Sequence, residues 1–262
     1  MDLSLKNRTA IVCGSSQGIG RSVAVELAQL GANLVLIARN EARLQATLEQ
    51  LPAQTSQQHR FLIADFQRTD QVQAAIDQFI SDGHTADILV NNTGGPAPGS
   101  AMNATTDQFL TAFQAHLIAN HILTTAVVPG MQEKGFGRII NVISTSVKQP
   151  LDGLGVSNTI RGAVASWAKT LANELGRFGI TVNNVLPGMT HTGRLDAIIA
   201  KKAEQQNCDS ETIVREMEAE TPAGRIGLPH EIAAAVAFLA SPAAAYINGV
   251  NLPVDGGRTK CL

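Results

Sequence analysis

Thr9-Ala10-Ile11-Val12-Cys13 runs directly into Gly14-Ser15-Ser16-Gln17-Gly18-Ile19-Gly20-Arg21, and the reading of this join decides the fold. The first five residues form a short apolar run of the kind found in strands buried on both faces. Beyond the glycines, Ile19, Val23, Leu27 and Leu30 recur at helical spacing and make one apolar stripe. A strand that turns through glycines into a helix presents free N–H groups and the positive end of that helix at the turn, where both suit an anion such as a pyrophosphate. Gly14, Ser15, Ser16, Gln17, Gly18, Ile19 and Gly20 are therefore the candidate cradle. Any tight strand-to-helix turn would use glycines too, and the context favours the ligand. A second strand ends about 20 residues on, where a ribose would be read.

The same alternation continues outward from this unit. Asn33–Ile37, Phe61–Ala64, Asp87–Asn91, Arg138–Ser144, Ile180–Leu186 and Val250–Val254 read as further short strands. Between them Val164, Trp167, Ala168, Leu171 and Leu175, and later Ile232, Val236 and Leu239, mark amphipathic helices. Repeated βαβ units imply one doubly wound parallel sheet of seven strands, covered by helices on both faces. The polar, helix-prone stretch 193–221 interrupts the pattern. The expected organisation is a single unit over residues 1–262.

Composition narrows the function. The 262 residues are 44% hydrophobic and 16% charged, with a formal charge of −2, which argues against a nucleic-acid binder with a basic face. No run approaches a membrane span or a signal peptide. Cys13, Cys208 and Cys261 lack metal-ligand spacing, and a reduced, cytoplasmic chain without a bound metal is expected.

At the end of the second strand stand Ala38, Arg39 and Asn40. A carboxylate there would accept from a ribose 2′-hydroxyl, whereas Arg39 offers a fork of donors suited to a 2′-phosphate. NADP(H) is thus expected over NAD(H), with a solvated Arg39 at a helix start as the plainer reading.

The spacing of Gly14, Gly18 and Gly20 resembles the short-chain dehydrogenase/reductase superfamily. So do Asp65-Phe66, Asn91-Asn92-Thr93-Gly94, Pro187-Gly188-Met189-Thr190-His191-Thr192, Tyr246-Ile247-Asn248-Gly249 and Val254-Asp255-Gly256-Gly257, in that order along the chain. The resemblance implies a Rossmann-type α/β fold. It implies that Asp65 and Phe66 flank the adenine, that Asn92, Thr93 and Gly94 line the cofactor, and that Pro187, Gly188, Thr190 and Thr192 reach the nicotinamide. It also implies a mobile substrate lid at 193–221 and a homotetramer built on the helices around Phe109–Met131 and Val164–Leu175. Apolar residues beyond a single stripe, including Val127, Val128 and Ala172, are consistent with that assembly.

The family's usual Asn–Ser–Tyr–Lys group matches only in part. Ser144, after the strand that begins at Arg138, takes the place of the serine that polarises the carbonyl. The Tyr-x-x-x-Lys falls on Ser157-Asn158-Thr159-Ile160-Arg161, and the asparagine on His116. Tyr246, the only tyrosine, belongs to the C-terminal motif. Ser157 and Arg161, four residues apart, share a helix face. Arg161 brings charge and donors but no proton shuttle. Ser144 and Ser157 are candidate oxyanion donors, leaving the proton to water, His116 or Lys148. His116 shares a stripe with Phe109, Phe113 and Asn120, so a core histidine is the competing reading.

The resulting expectation is an NADP(H)-dependent oxidoreductase that reduces a carbonyl, whether an oxoacyl thioester or a polar ketone, with an altered proton donor. An NADP(H)-binding sensor or inactive subunit is the alternative, and dehydration or epimerisation on a bound nucleotide a third.

Overall fold

The computed structural model describes residues 1–52 and 57–261. Seven strands, β1 (Thr9–Cys13), β2 (Asn33–Ala38), β3 (Arg60–Ile63), β4 (Ile88–Asn91), β5 (Gly137–Val142), β6 (Ile180–Pro187) and β7 (Asn251–Val254), form one sheet in the order β3-β2-β1-β4-β5-β6-β7. Every neighbouring pair is parallel. The unbroken apolar runs follow from burial on both faces. In β1, Ala10 and Val12 join one core, while Ile11 and Cys13 join the other. Each fully buried Val, Leu or Ile contributes about 1.5–3 kcal/mol, so together such positions set the register.

The first core lies under α1 (Gly18–Gln29), α2 (Glu41–Glu49) and the last helix. The second lies under α3 (Thr69–Ser81) and the long helices that follow β4 and β5. After β4 come α4 (Thr106–Phe113), a wider π turn at Gln114–Ile118, and α5 (Ala119–Lys134); α6 (Gly155–Leu175) follows β5. The stretch 193–221 folds as α7 (Gly193–Gln206) and α8 (Ser210–Ala219), which close on a small core of their own around Leu195, Ile199, Ile213 and Met217. The last helix, α9 (Pro229–Ala240), leads to β7. Among the described residues no helix is long and apolar enough to cross a membrane.

Strand order reverses between β1 and β4, so their carboxyl ends splay to leave a crevice. Beside it, four amides form a ladder across the sheet. Asn91 donates to Asn141 (2.9 Å), Asn141 to Asn184 (2.9 Å) and Asn184 to Asn251 (2.8 Å), each pair directly opposite in register. Buried amides that satisfy one another in this way fix the relative height of the strands.

Three local expectations are corrected. The fifth strand stops at Val142 rather than Ser144, because Ser144 caps a short 3-10 turn at Thr145–Val147 and takes the Ser146 N–H with its own side chain. His116 does not continue the regular stripe of Phe109 and Phe113, because the π turn adds a residue to the helix just there. Val127 and Ala172 pack into the chain's own second core and are not free for assembly.

Candidate active site

The glycine turn is locked by backbone geometry. Gly14 (φ +59°) and Gly18 (φ +55°) adopt the left-handed region, and a Cβ on Gly20 would lie 2.3 Å from the Gly14 carbonyl oxygen. Asn92 ties this turn to β4 by donating to Cys13 O (3.2 Å). At the start of α1, Gln17 offers no side-chain cap, so the first-turn N–H groups remain for an anion. Thr192, from the loop after β6, comes down on Gly18 from the opposite side, its Cγ2 3.3 Å from where a Cβ would sit. The residues present fit a dinucleotide pyrophosphate.

One cleft of about 360 Å³ joins that turn to the candidate catalytic groups. Gly14, Gln17, Gly18, Ile19, Asn92, Thr93, Gly94, Pro187, Gly188, Thr190 and Thr192 line it, together with Ser144, Ser157 and Arg161. Ser144 Oγ accepts from Ser146 N (3.1 Å), which leaves its own proton free to donate into the cleft. Ser157, on the first turns of α6, is buried, and its hydroxyl has no partner among the described residues. Arg161, one turn further on, is 7% exposed and donates from Nη1 to Val142 O (3.3 Å).

Residues 14–259 match the family model described as enoyl-(acyl carrier protein) reductase. The chain is a short-chain dehydrogenase/reductase. It is 34% identical to the 3-oxoacyl-[acyl-carrier-protein] reductase FabG of Vibrio cholerae over 97% of this chain and 98% of that one. Among solved structures it resembles L-sorbose reductase from Gluconobacter frateurii in complex with NADPH and L-sorbose, at 30% identity and a TM-score of 0.93, with 100% of each chain covered. It also resembles actinorhodin polyketide ketoreductase with NADPH, at 29% identity and a TM-score of 0.89 over 97% of each chain.

Within this short-chain dehydrogenase/reductase, several of the expected cofactor residues stand outside the cleft. Ser15 is fully buried and its hydroxyl has no partner among the described residues, while half-buried Ser16 and buried Gly20 do not line the cleft. At the ribose end Arg39 is exposed, with Nη1 3.7 Å from Asp65 Oδ2. Asn40 caps α2 by accepting from Arg43 N (2.9 Å). Arg43, which the sequence reading did not single out, donates from Nη1 to Gln17 (2.8 Å) and brings a second cation to that end. Its position one turn into the helix after Arg39 was the available signal. Phe66 packs on the second core instead of lining the cleft.

His116 is where the expected chemistry needs correction. It is buried in the π turn, hydrogen-bonds through Nδ1 to Thr93 Oγ1, and lines the adjoining cavity rather than the cleft. Burial, reinforced by the charges of Arg161 and Arg194, pushes its pKa from 6.5 down to about 2. A histidine so placed is neutral at physiological pH, which argues against it as the charged acid offered beside water and Lys148. Arg161 is lowered to about 10, first by burial and then by Arg194, and stays a cation. Lys148 and the exposed Tyr246 do not line the cleft. Arg194, at the start of α7, was also missed. Its guanidinium crosses to the opposite loop, donating to Gly95 O (2.5 Å) and Pro96 O (2.9 Å).

Proposed function

We propose that this chain is an NADP(H)-dependent carbonyl reductase whose usual tyrosine acid is replaced by a hydroxyl–guanidinium site. The carrying observation is the single cleft that places Ser144, Ser157 and Arg161 beside the glycine turn. The similar reductases whose structures contain NADPH support this cofactor, and Arg39 with Arg43 suits its 2′-phosphate. Bound NADPH would supply the hydride. As the carbonyl carbon takes it, the carbonyl π electrons move to oxygen. Ser144 and Ser157 donate hydrogen bonds to that oxyanion, Arg161 stabilises its charge, and water delivers the proton. Neutral His116 positions Thr93 at the cleft edge. Mixing the protein with NADPH and a panel of ketones, and following loss of reduced-nicotinamide absorbance, tests the reading. No turnover with any carbonyl at saturating NADPH would overturn it.

One observation favours the second reading, an NADP(H)-binding sensor or inactive subunit: among the described residues, no Asp, Glu, His, Tyr or Lys side chain lines the cleft. Tight NADPH binding without turnover would select it. As further parts of the proposal, 1–262 act as one cofactor-binding unit and α7 with α8 form a substrate lid. The chain works in the cytoplasm as a homotetramer, with exposed Leu110 and Phe113 of α4 as its available apolar contacts. Light scattering that returned a monomer at micromolar concentration would refute the assembly.

A further inference from the structure

Three guanidinium groups, Arg161, Arg194 and Arg258, reach the cleft, and among the described residues no carboxylate side chain lines it. Arg258 is committed to Glu220, against which both Nε and Nη2 are placed. The other two have no acidic partner among the described residues. Arg161 makes its one hydrogen bond to a backbone carbonyl, although it is 7% exposed. Arg194 is held by two further carbonyls, Gly95 O and Pro96 O. Carbonyl oxygens orient a guanidinium without neutralising it. Arg161 is a buried cation without an anion, which is costly, and the charge of the exposed Arg194 at the same cleft adds repulsion to that desolvation. The family's lysine position accounts for one cation here, and the second bridges α7 to the Gly95–Pro96 loop.

We infer that Arg194 forms a carboxylate-reading site, with the charge of Arg161 adding to its field, and that the substrate is an oxo acid, a carbonyl compound with a free carboxylate. The inference rests on the reductase reading for where the carbonyl lies, between the two serines and the nucleotide. Arg194, on the first turn of α7, lines the cleft where it reaches across to the Gly95–Pro96 loop. A guanidinium fork there matches a carboxylate in two parallel hydrogen bonds. The same anion would draw α7 and the Gly95–Pro96 loop together over the substrate. A second anion of similar chemistry, the pyrophosphate of the nucleotide, is the competing occupant of Arg194. Substrate carboxylate is favoured because Arg194 also lines an outer cavity that runs on to Pro98, Asp152, Lys201 and Met217, none of which borders the cleft at the glycine turn.

The test uses 2-oxopentanoate and 4-oxopentanoate, each beside its methyl ester, with the intact protein and NADPH. It adds calorimetric titration of the protein–NADP⁺ complex with 2-hydroxypentanoate and its methyl ester. The acids should exceed their esters at least tenfold in kcat/KM and in affinity. In Arg194→Gln this preference should fall below threefold while NADP⁺ affinity stays within twofold of the parent, and Arg194→Lys should retain part of it. Esters equal to acids would overturn the site. So would an Arg194→Gln protein that binds NADP⁺ at least tenfold more weakly with its acid preference intact, since Arg194 would then read the pyrophosphate. If no carbonyl turns over, the reductase reading fails. The titrations still decide the carboxylate site, which stands if acids bind the NADP⁺ complex tenfold better than esters and falls if they do not.

Discussion

Arg161 donates to the carbonyl of Val142, 3.3 Å away, two residues before Ser144. This contact joins the first turns of α6 to the end of β5 and so fixes the charge of Arg161 relative to the Ser144 hydroxyl. Ser144 in turn is oriented by the N–H of Ser146. The oxyanion donors therefore stand on the capped 3-10 turn just past β5 and on α6, both hydrogen-bonded in place, rather than on free loops. Ser144→Ala should lower kcat by ~10²–10³, the loss seen when one oxyanion donor is removed. NADPH affinity, measured by fluorescence titration, should be unaffected. A change below threefold would exclude Ser144 from the chemistry.

Cofactor choice should depend on Arg39. Its present contact, 3.7 Å from half-buried Asp65 with the Arg39 side chain itself well exposed, is weak enough to exchange for a phosphate. Arg39→Ala should weaken NADPH by about 1–3 kcal/mol and leave NADH nearly untouched, with Arg43→Ala acting in the same direction. Equal losses for both nucleotides by calorimetry would remove the 2′-phosphate from this end of the site.

The buried histidine makes a prediction about pH. Folded His116 holds off its proton until about pH 2, whereas the same side chain in an unfolded molecule takes one up near 6.5. Between those values the unfolded state binds more protons. Stability is therefore full above about pH 6.5 and declines as pH falls through that window, by at most about 1.4 kcal/mol per pH unit from this group. Urea midpoints at about pH 7 and about pH 5 should show a smaller acid loss in His116→Asn than in the parent. The rate profile of the parent should show no histidine limb near 6.5. A limb there that vanishes in His116→Asn would restore the charged acid.

The amide ladder predicts a stability effect separate from the chemistry. Asn141→Ala leaves the Asn91 amide and the Asn184 carbonyl oxygen without their partner in a buried strand layer. Each stranded group costs about 1–3 kcal/mol, so a loss of roughly 2–6 kcal/mol in denaturant unfolding is expected. A loss under 1 kcal/mol would show that water or a shifted strand satisfies both.

The contrast between fold and site has a physical basis. The strands were legible because apolar runs such as Ile11–Cys13 and Leu34–Ile37 answer to burial on both faces, a constraint written along the chain itself. The glycine turn was legible for the same local reason, since Gly14 and Gly18 take a backbone conformation that other residues resist. The protonation state of His116 was not. It depends on a π turn and on two arginines, Arg161 and Arg194, brought to it from α6 and α7. Arg194 is likewise indistinguishable from any lid arginine until its bonds to Gly95 and Pro96 are seen. Spacing reports what a residue does with its own element, and charge clusters are assembled by distant ones.

The altered motif itself gives the most direct test of the scaffold. Arg161→Lys keeps a positive charge but loses the planar fork that reaches the Val142 carbonyl, so turnover should fall although the exchange looks mild. Replacing Ser157 as well, by tyrosine, places a phenol one helical turn from that ammonium, on the face that lines the cleft. The charge of Arg194, which already lowers Arg161, would also favour the phenolate and so make the tyrosine a better acid. The double variant Ser157→Tyr, Arg161→Lys should therefore gain or broaden NADPH-dependent ketone reduction relative to Arg161→Lys alone. Its rate should follow a new ionisation on the alkaline side that neither parent nor single variant displays. If the parent reduces no carbonyl and the double variant is equally silent while still binding NADPH tightly, the serines and arginine hold a ligand rather than drive a reduction. The chain then acts as a nucleotide sensor.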